Sequence, residues 1–336
     1  MILIDAIYIN SDGGRVLLNY LILSLEKTKL EVFYLLDDRL CDNHQKIKSN
    51  KVLYLKASLF RRHRFYLKNR YRFSSVFCFG NLAPSLKLNA KVYTYCHNKL
   101  LLERSNELKI IESVKFKIKS VIFSYLLKNT EYIILQTQAI KDVFIEKHTR
   151  FGLGNILLIP FYAPFQNETS YSKIDNLFIY ISSGVKYKNH NRLLAAFKLF
   201  YDDYKIGELH LTVTKNHREL YANIDKINQE GYPVINHKYL DRTELKKLYN
   251  KAEFLIYPSF DESFGLGIIE AIENNCKVIG ADLPYTRALC IPSLFIDPKS
   301  INSIRQSFVN AVFSGTKSTE QLVFNEIDNL IEIISK

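Results

Sequence analysis

Glu262 and Glu270 stand eight positions apart in the run Glu262-Ser263-Phe264-Gly265-Leu266-Gly267-Ile268-Ile269-Glu270-Ala271. Before it, Glu253-Phe254-Leu255-Ile256-Tyr257-Pro258-Ser259 has the pattern of a short buried strand closed by proline, and after Phe264 the apolar spacing becomes helical. Both carboxylates therefore belong to a strand-to-helix junction, Glu262 in the loop and Glu270 about two turns into the helix. The amides of Phe264, Gly265 and Leu266, at the positive end of the helix, suit a phosphate or a sugar hydroxyl. The ordinary alternative is a helix start with acidic residues in its first turns. A second turn of this kind is Asn10-Ser11-Asp12-Gly13-Gly14-Arg15, where Gly13 and Gly14 permit close backbone approach and positive φ.

The elements that must position these residues alternate along the chain. Apolar strands are expected at Met1–Ile9, Leu30–Leu36, Lys51–Tyr54, Ser75–Phe79, Lys91–Tyr95 and Tyr132–Leu135, and a second series at Leu177–Ser182, Leu209–Val213, Val234–Asn236, Phe254–Tyr257, Lys277–Gly280 and Leu294–Ile296. Strands alternating with helical stretches predict parallel sheets wrapped by helices. The polar, proline-marked stretch from Pro160 to Ser170 reads as an interdomain linker. A last helix is expected over Ser318–Ser335, packing back toward the domain junction. The expected organisation is thus 1–162, 163–317 and the terminal helix 318–336.

A chain of 336 residues with 47% hydrophobic and 24% charged residues is globular, and its length suits two cores. The net charge of +12 is unevenly placed: 26 Lys and Arg face 13 Asp and Glu through Pro160, against 20 and 21 beyond it. The first half is therefore expected to face something anionic, such as a membrane surface, a lipid diphosphate or nucleic acid. No apolar run approaches the ~20 residues of a membrane span. The first strand has an acid inside it and no basic lead, which predicts a cytosolic protein. Five cysteines without C-x-x-C spacing argue against a disulfide framework or zinc site and for buried thiols.

The Glu262–Glu270 run, with Pro258-Ser259 before it and Val278-Ile279-Gly280 after it, resembles the E-x7-E signature of the retaining glycosyltransferases of family 4, which have the GT-B fold. The resemblance implies two Rossmann-like, doubly wound parallel-sheet domains facing across a cleft. It implies Glu270 as the ligand of the donor ribose, Glu262 as a contact to the transferred sugar, and the Phe264-Gly265-Leu266 amides facing sugar and diphosphate. Gly13-Gly14 matches a glycine-rich loop beneath the donor phosphates and acceptor. The stretch from Ser182 to Phe197 resembles the strand end and helix start carrying the diphosphate-binding lysine, with Lys188 as the match. Such a cation stabilises charge building on the leaving phosphate. Many relatives have an arginine where this chain has Ser183, which leaves Lys186, Arg192 and Lys215 as candidates for the second cation. His97, in Tyr95-Cys96-His97-Asn98, matches a histidine that faces the sugar, although a lone histidine is usually structural. Tyr239 and Leu240, in His237-Lys238-Tyr239-Leu240-Asp241, resemble the turn that brackets the nucleotide base. Gln136-Thr137 echoes the family as part of the cleft wall, and Ala288 departs from it where many relatives have a glutamate.

The stretch from Arg61 to Arg72 interleaves Arg61, Arg62, Arg64, Lys68, Arg70 and Arg72 with Phe65, Tyr66 and Tyr71. It suits an interfacial helix on anionic lipid or a clamp for a lipid diphosphate, and it would also suit RNA or a solvated helix with core aromatics. Lys115, Lys117, Lys119 and Lys128, around Val121-Ile122-Phe123, add a second basic and apolar stretch. The resulting expectation is a retaining glycosyltransferase that needs no metal or other cofactor. Its donor would be a nucleotide-sugar and its acceptor a lipid-linked oligosaccharide of bacterial O-antigen, capsule or lipopolysaccharide assembly. It would sit peripherally on the anionic inner face of the cell membrane and bind no nucleic acid. Two rivals stand beside it. A nucleic-acid-binding protein would explain the charge but leave Glu262 and Glu270 idle, and a sugar-nucleotide epimerase or non-catalytic relative would bind donor without transfer.

Overall fold

The computed structural model describes residues 1–41, 47, 50–102, 110–148, 151–165 and 172–336, with the backbone alone at 12, 100 and 110–116. The chain divides into two compact units, Met1–Ala163 with Phe324–Lys336, and Pro164–Val323.

The first unit is built on strands β1 (Ile2–Ala6), β2 (Val32–Asp37), β3 (Lys51–Leu55), β4 (Ser75–Cys78), β5 (Lys91–Tyr95), β6 (Tyr132–Leu135) and β7 (Ile156–Leu158). They form one sheet in the order β3-β2-β1-β4-β5-β6-β7, every pairing parallel. Its helices are α1 (Asp12–Leu25), α2 (Leu59–Lys68), α3 (Ile110–Leu126) and α4 (Gln138–Lys147). β1, β2 and β4 are buried at every position, the near-continuous burial of strands covered on both faces.

The second unit holds β8 (Ile174–Tyr180), β9 (Glu208–Leu211), β10 (Val234–Asn236), β11 (Ala252–Tyr257), β12 (Lys277–Ala281), β13 (Cys290–Ile291), β14 (Leu294–Ile296) and β15 (Glu320–Gln321), with helices α5 (His190–Tyr204), α6 (Arg218–Gln229), α7 (Arg242–Lys251), α8 (Leu266–Glu273), α9 (Pro284–Leu289) and α10 (Ile301–Phe313). Six of these strands form a parallel sheet in the order β10-β9-β8-β11-β12-β14, while β13 and β15 pair antiparallel.

In each unit the strand order reverses once, between β1 and β4 in the first and between β8 and β11 in the second. At such a switch point the loops beyond the carboxyl ends of two neighbouring strands run to opposite sides and leave a crevice. Of the sequence-derived site residues of the second unit, Lys188, Glu262, Phe264, Gly265, Leu266 and Glu270 lie on the loops after β8 and β11 or on the helix that follows β11.

Three expectations change. The last helix, α11, runs only over Ile327–Ser335, because Glu320–Gln321 pairs as β15. It belongs to the first unit, burying Ile327, Leu330, Ile331 and Ile334, while Asn325 Nδ2 donates to Tyr20 Oη at 2.8 Å. Of the expected linker, 166–170 lies outside the described residues, and Phe161 and Tyr162 are buried, with Phe161 5.2 Å from the Tyr95 ring. Cys41 is exposed while the other four thiols are buried, and all five are free. Among the described residues no helix is long and apolar enough to cross a membrane.

Candidate functional site

Lys188 is delivered from β8 through a turn that the backbone over-determines. A Cβ at Gly184 would lie 2.6 Å from the His217 ring, so only glycine fits there. A short 3-10 turn, Lys186–Lys188, then ends on Asn189 in the left-handed region at φ 64. The buried Asn189 amide donates to Pro258 O at 3.1 Å and Pro298 O at 2.7 Å, and Tyr180 Oη donates to Lys188 O at 2.8 Å. From the β11 side, Phe260 N donates to Tyr187 O at 2.8 Å. These bonds bring Lys188 Nζ to 2.5 Å from Glu262 Oε1, with the two side chains 12% and 9% exposed. The lysine and the glutamate that sequence reading assigned separately are thus one buried ion pair. Beside it, burial and the charge of Glu262 push the Tyr257 hydroxyl well above its ordinary pKa.

Glu270 lies about one turn into α8, not two, because the helix opens at Leu266 after Gly265 adopts φ 80. Phe264 is buried just ahead of that glycine. The Glu270 carboxylate is itself buried, which raises its pKa, and Arg242 and Tyr249 oppose the rise. Arg242 Nη1 donates to Oε1 at 2.9 Å and Tyr249 Oη donates to Oε2 at 3.3 Å. Gly267 makes room for this arrangement, since a Cβ there would be 3.3 Å from Tyr249 Oη and 3.4 Å from the Tyr257 ring. A carboxylate has about four acceptor positions. Two are used, and one on each oxygen remains for a pair of hydroxyl groups.

Tyr239 is 77% exposed and Leu240 follows it in a turn fixed by Lys238 at φ 66 and by His237 N donating to Leu211 O at 2.8 Å. That turn leads directly into the Asp241–Glu244 capping box of α7. Of the candidates for a second cation, Arg192 Nη1 donates to Asn189 Oδ1 at 3.2 Å, and Lys215 lines a cavity of about 620 Å³ with Asn216, Arg218 and Tyr221.

In the first unit Gly13 and Gly14 lie inside the first turn of α1 and neither takes positive φ, contrary to expectation. Space is what they provide: a Cβ on Gly13 would meet nothing within 4 Å, and one on Gly14 would sit 3.8 Å from His97 Nε2. His97 is held by Asn81, whose left-handed backbone (φ 66) aims Oδ1 at the amides of His97 (2.8 Å) and Asn98 (3.1 Å) and Nδ2 at His97 Nε2 (3.2 Å). With Nε2 accepting, the proton belongs on Nδ1, which is buried and has no hydrogen-bond partner among the described residues. Burial lowers the His97 pKa to about 4, so the ring is neutral at neutral pH and acts as a hydrogen-bond donor, not a cation. Gln136 and Thr137 are buried, and Thr137 caps α4 by accepting from Ile140 N.

The basic stretch is not one surface. Arg62 is buried, pairs with Asp5 at 2.6 Å, and donates to Leu82 O at 2.7 Å and Ala83 O at 2.9 Å. Asp5, the fourth of five residues in the fully buried β1, is a buried charge that needs a partner of opposite sign. Phe65 and Tyr66 join the core, and Arg61, Arg64, Lys68, Arg70 and Arg72 remain outside with Phe60, Leu67 and Tyr71. On α3, Ile118, Val121 and Tyr125 form an exposed stripe at helical spacing beside Lys117, Lys119 and Lys128, and the Lys115 side chain lies outside the described residues.

Sequence reading missed Arg242, Tyr249 and Asn81. Arg242 lies just after the stretch that resembles the base-bracketing turn, yet only the tertiary structure brings its guanidinium to Glu270. Asn81 left no local signal.

Residues 165–307 match the family model described as Glycosyl transferases group 1. Over 68 residues the chain is 41% identical to the O-antigen chain mannosyltransferase RfbU of Salmonella typhimurium (strain LT2). That match spans 20% of this chain and only 19% of the mannosyltransferase. Among solved structures, sucrose-phosphate synthase from Thermosynechococcus elongatus superposes with a TM-score of 0.68 at 14% identity, covering 92% of this chain and 88% of that one. WaaG, a glycosyltransferase involved in lipopolysaccharide biosynthesis, superposes with a TM-score of 0.67 at 13% identity, covering 99% of both chains. At these identities the superpositions speak for the fold: the chain has the GT-B glycosyltransferase fold, and within its second unit residues 165–307 match the glycosyl transferases group 1 model.

Proposed function

We propose that this chain is a retaining glycosyltransferase that moves a sugar from a nucleotide-sugar to a lipid-linked saccharide acceptor in bacterial O-antigen, capsule or lipopolysaccharide assembly. The observation that carries the reading is the arrangement at the second switch point, where Lys188 and Glu262 form a buried pair and Glu270 keeps one acceptor position open on each oxygen. Glu270 would take the two ribose hydroxyls, with Tyr239 and Leu240 at the base. Glu262 would contact the sugar, and the amides opening α8 would face sugar and diphosphate. As the bond from the sugar C1 to the phosphate oxygen breaks, the acceptor hydroxyl oxygen bonds to C1 on the same face and its proton passes to the leaving phosphate. Lys188 stabilises the negative charge that builds there, so no metal is required. In the first unit the neutral His97, with its Nδ1 proton uncommitted, would donate to a hydroxyl or phosphate beside the open space at Gly13 and Gly14. The exposed apolar and cationic faces of α2 and α3 would hold the protein peripherally on an anionic membrane, each cation contributing about 1 kcal/mol.

The test incubates the purified chain with GDP-, UDP- and dTDP-sugars and detergent-solubilised lipid-linked oligosaccharides, with and without EDTA. Transfer with the donor's anomeric configuration kept, undiminished by EDTA, supports the reading. Nucleotide binding without transfer to any acceptor favours an epimerase or binding relative, inversion removes the retaining mechanism, and loss in EDTA restored by magnesium removes the metal-free one.

A further inference from the structure

Both partners of the Glu270 carboxylate come from one face of α7, Arg242 at its first position and Tyr249 seven residues later. The helix start is rigid. Asp241 and Glu244 close a reciprocal capping box, and the preceding Asn236 amide is bonded in both directions to Val213, at 2.9 Å each way. The Arg242 guanidinium lies 4.2 Å over the Phe165 ring, and Phe165 N is bonded to Glu273 Oε2 at 3.4 Å. Arg242 is therefore clamped between an aromatic face and the carboxylate while keeping 35% of its side chain exposed. Tyr239 and Leu240 stand two and three residues upstream on the same fixed turn.

We propose that Arg242 is a positioning residue for nucleotide recognition: it keeps the buried Glu270 carboxylate ionised and oriented, and ties it to the turn at Tyr239–Leu240, so that the ribose-binding group and the base-binding turn act together. This rests on the reading of Glu270 as the ribose ligand. The physical need is plain, because an isolated carboxylate taken out of water takes up a proton unless a cation is paired with it. Burial already lifts the Glu270 pKa, and the charge of Arg242 pulls hardest against that rise. A protonated Glu270 would lose an acceptor position that a ribose hydroxyl needs.

The experiment measures binding of UDP and GDP by titration calorimetry between pH 6 and 9 for wild type, Arg242→Gln, Arg242→Lys and Glu270→Ala. Burial raises the Glu270 pKa, so in wild type the affinity should fall toward the acid end of the range. In Arg242→Gln the midpoint of that fall should move to higher pH, so that the variant binds about tenfold or more weakly than wild type at the acid end and approaches wild type at the alkaline end. Arg242→Lys, which keeps the charge, should restore the midpoint at least in part. Titration of the nucleotide phosphates is common to all four proteins and cancels in the comparison. An Arg242→Gln profile equal to wild type, or one weakened by the same factor at every pH, overturns the inference. If Glu270→Ala binds the nucleotide as wild type does, the underlying ribose assignment fails instead, and the two failures are told apart by that variant.

Discussion

Lys188→Met removes the cation from a pair 2.5 Å apart whose side chains are only 12% and 9% exposed. Removing one partner of a buried pair costs about 3–5 kcal/mol, since the other charge is left without compensation. Both side chains keep a little exposure, so the lower part of that range, about 3 kcal/mol, applies. Lys188→Met/Glu262→Gln removes both charges and should recover about half of the loss or more, leaving a coupling energy of at least about 1.5 kcal/mol. Urea melts of the four proteins at pH 7, followed by circular dichroism, give the cycle directly. A coupling below about 0.5 kcal/mol would refute the reasoning. Both single variants should also lose turnover, and that loss should persist in the double variant, which separates the stabilising role of the pair from its proposed chemical role.

Glu270→Ala should weaken nucleotide binding by about 1.5–3 kcal/mol, from loss of a charged acceptor for two hydroxyls, and unchanged affinity in calorimetry would remove that assignment. Gly265→Ala forces a side chain into φ 80 with its Cβ 3.0 Å from Leu289 Cδ1, so it should cost about 1–2 kcal/mol, read as a lower urea midpoint with the same slope. His190 is buried, neither ring nitrogen has a hydrogen-bond partner among the described residues, and its pKa is lowered to about 3, first by burial and then by the charge of Lys188. The unfolded chain binds that proton near pH 6.5 and the folded one does not, so this contribution is complete above pH 6.5 and is lost at about 1.4 kcal/mol per pH unit below it. His190→Phe should flatten the acid side of the stability curve by that slope, and parallel curves would exclude it. Phosphatidylglycerol vesicles should float the wild-type chain at low salt and release it at high salt, while neutralising Arg61, Arg64, Lys68 and Arg70 should abolish flotation; equal flotation of both would leave the basic face an ordinary solvated one.

The sequence by itself determined the two-sheet α/β architecture, because buried parallel strands are near-continuous apolar runs that alternation with helical stretches makes visible. It also marked the junction at Glu262–Glu270 and the turn at Lys188, since strand ends, glycines and helix starts are local signals. Short elements escaped it: β7 has three residues beside a proline, and β13 and β15 have two each, too few for any periodicity. Only the tertiary structure decided which charges meet. Lys188 and Glu262 are 74 residues apart, Arg62 and Asp5 57, and Arg242 and Glu270 28. A run of six cations looks uniform in sequence, yet Arg62 lies in the core because Asp5 is there and a buried charge requires a partner. Whether an ionisable residue faces water, a ligand or another charge depends on which strand end or helix face folds against it, and that pairing is set by packing between distant segments.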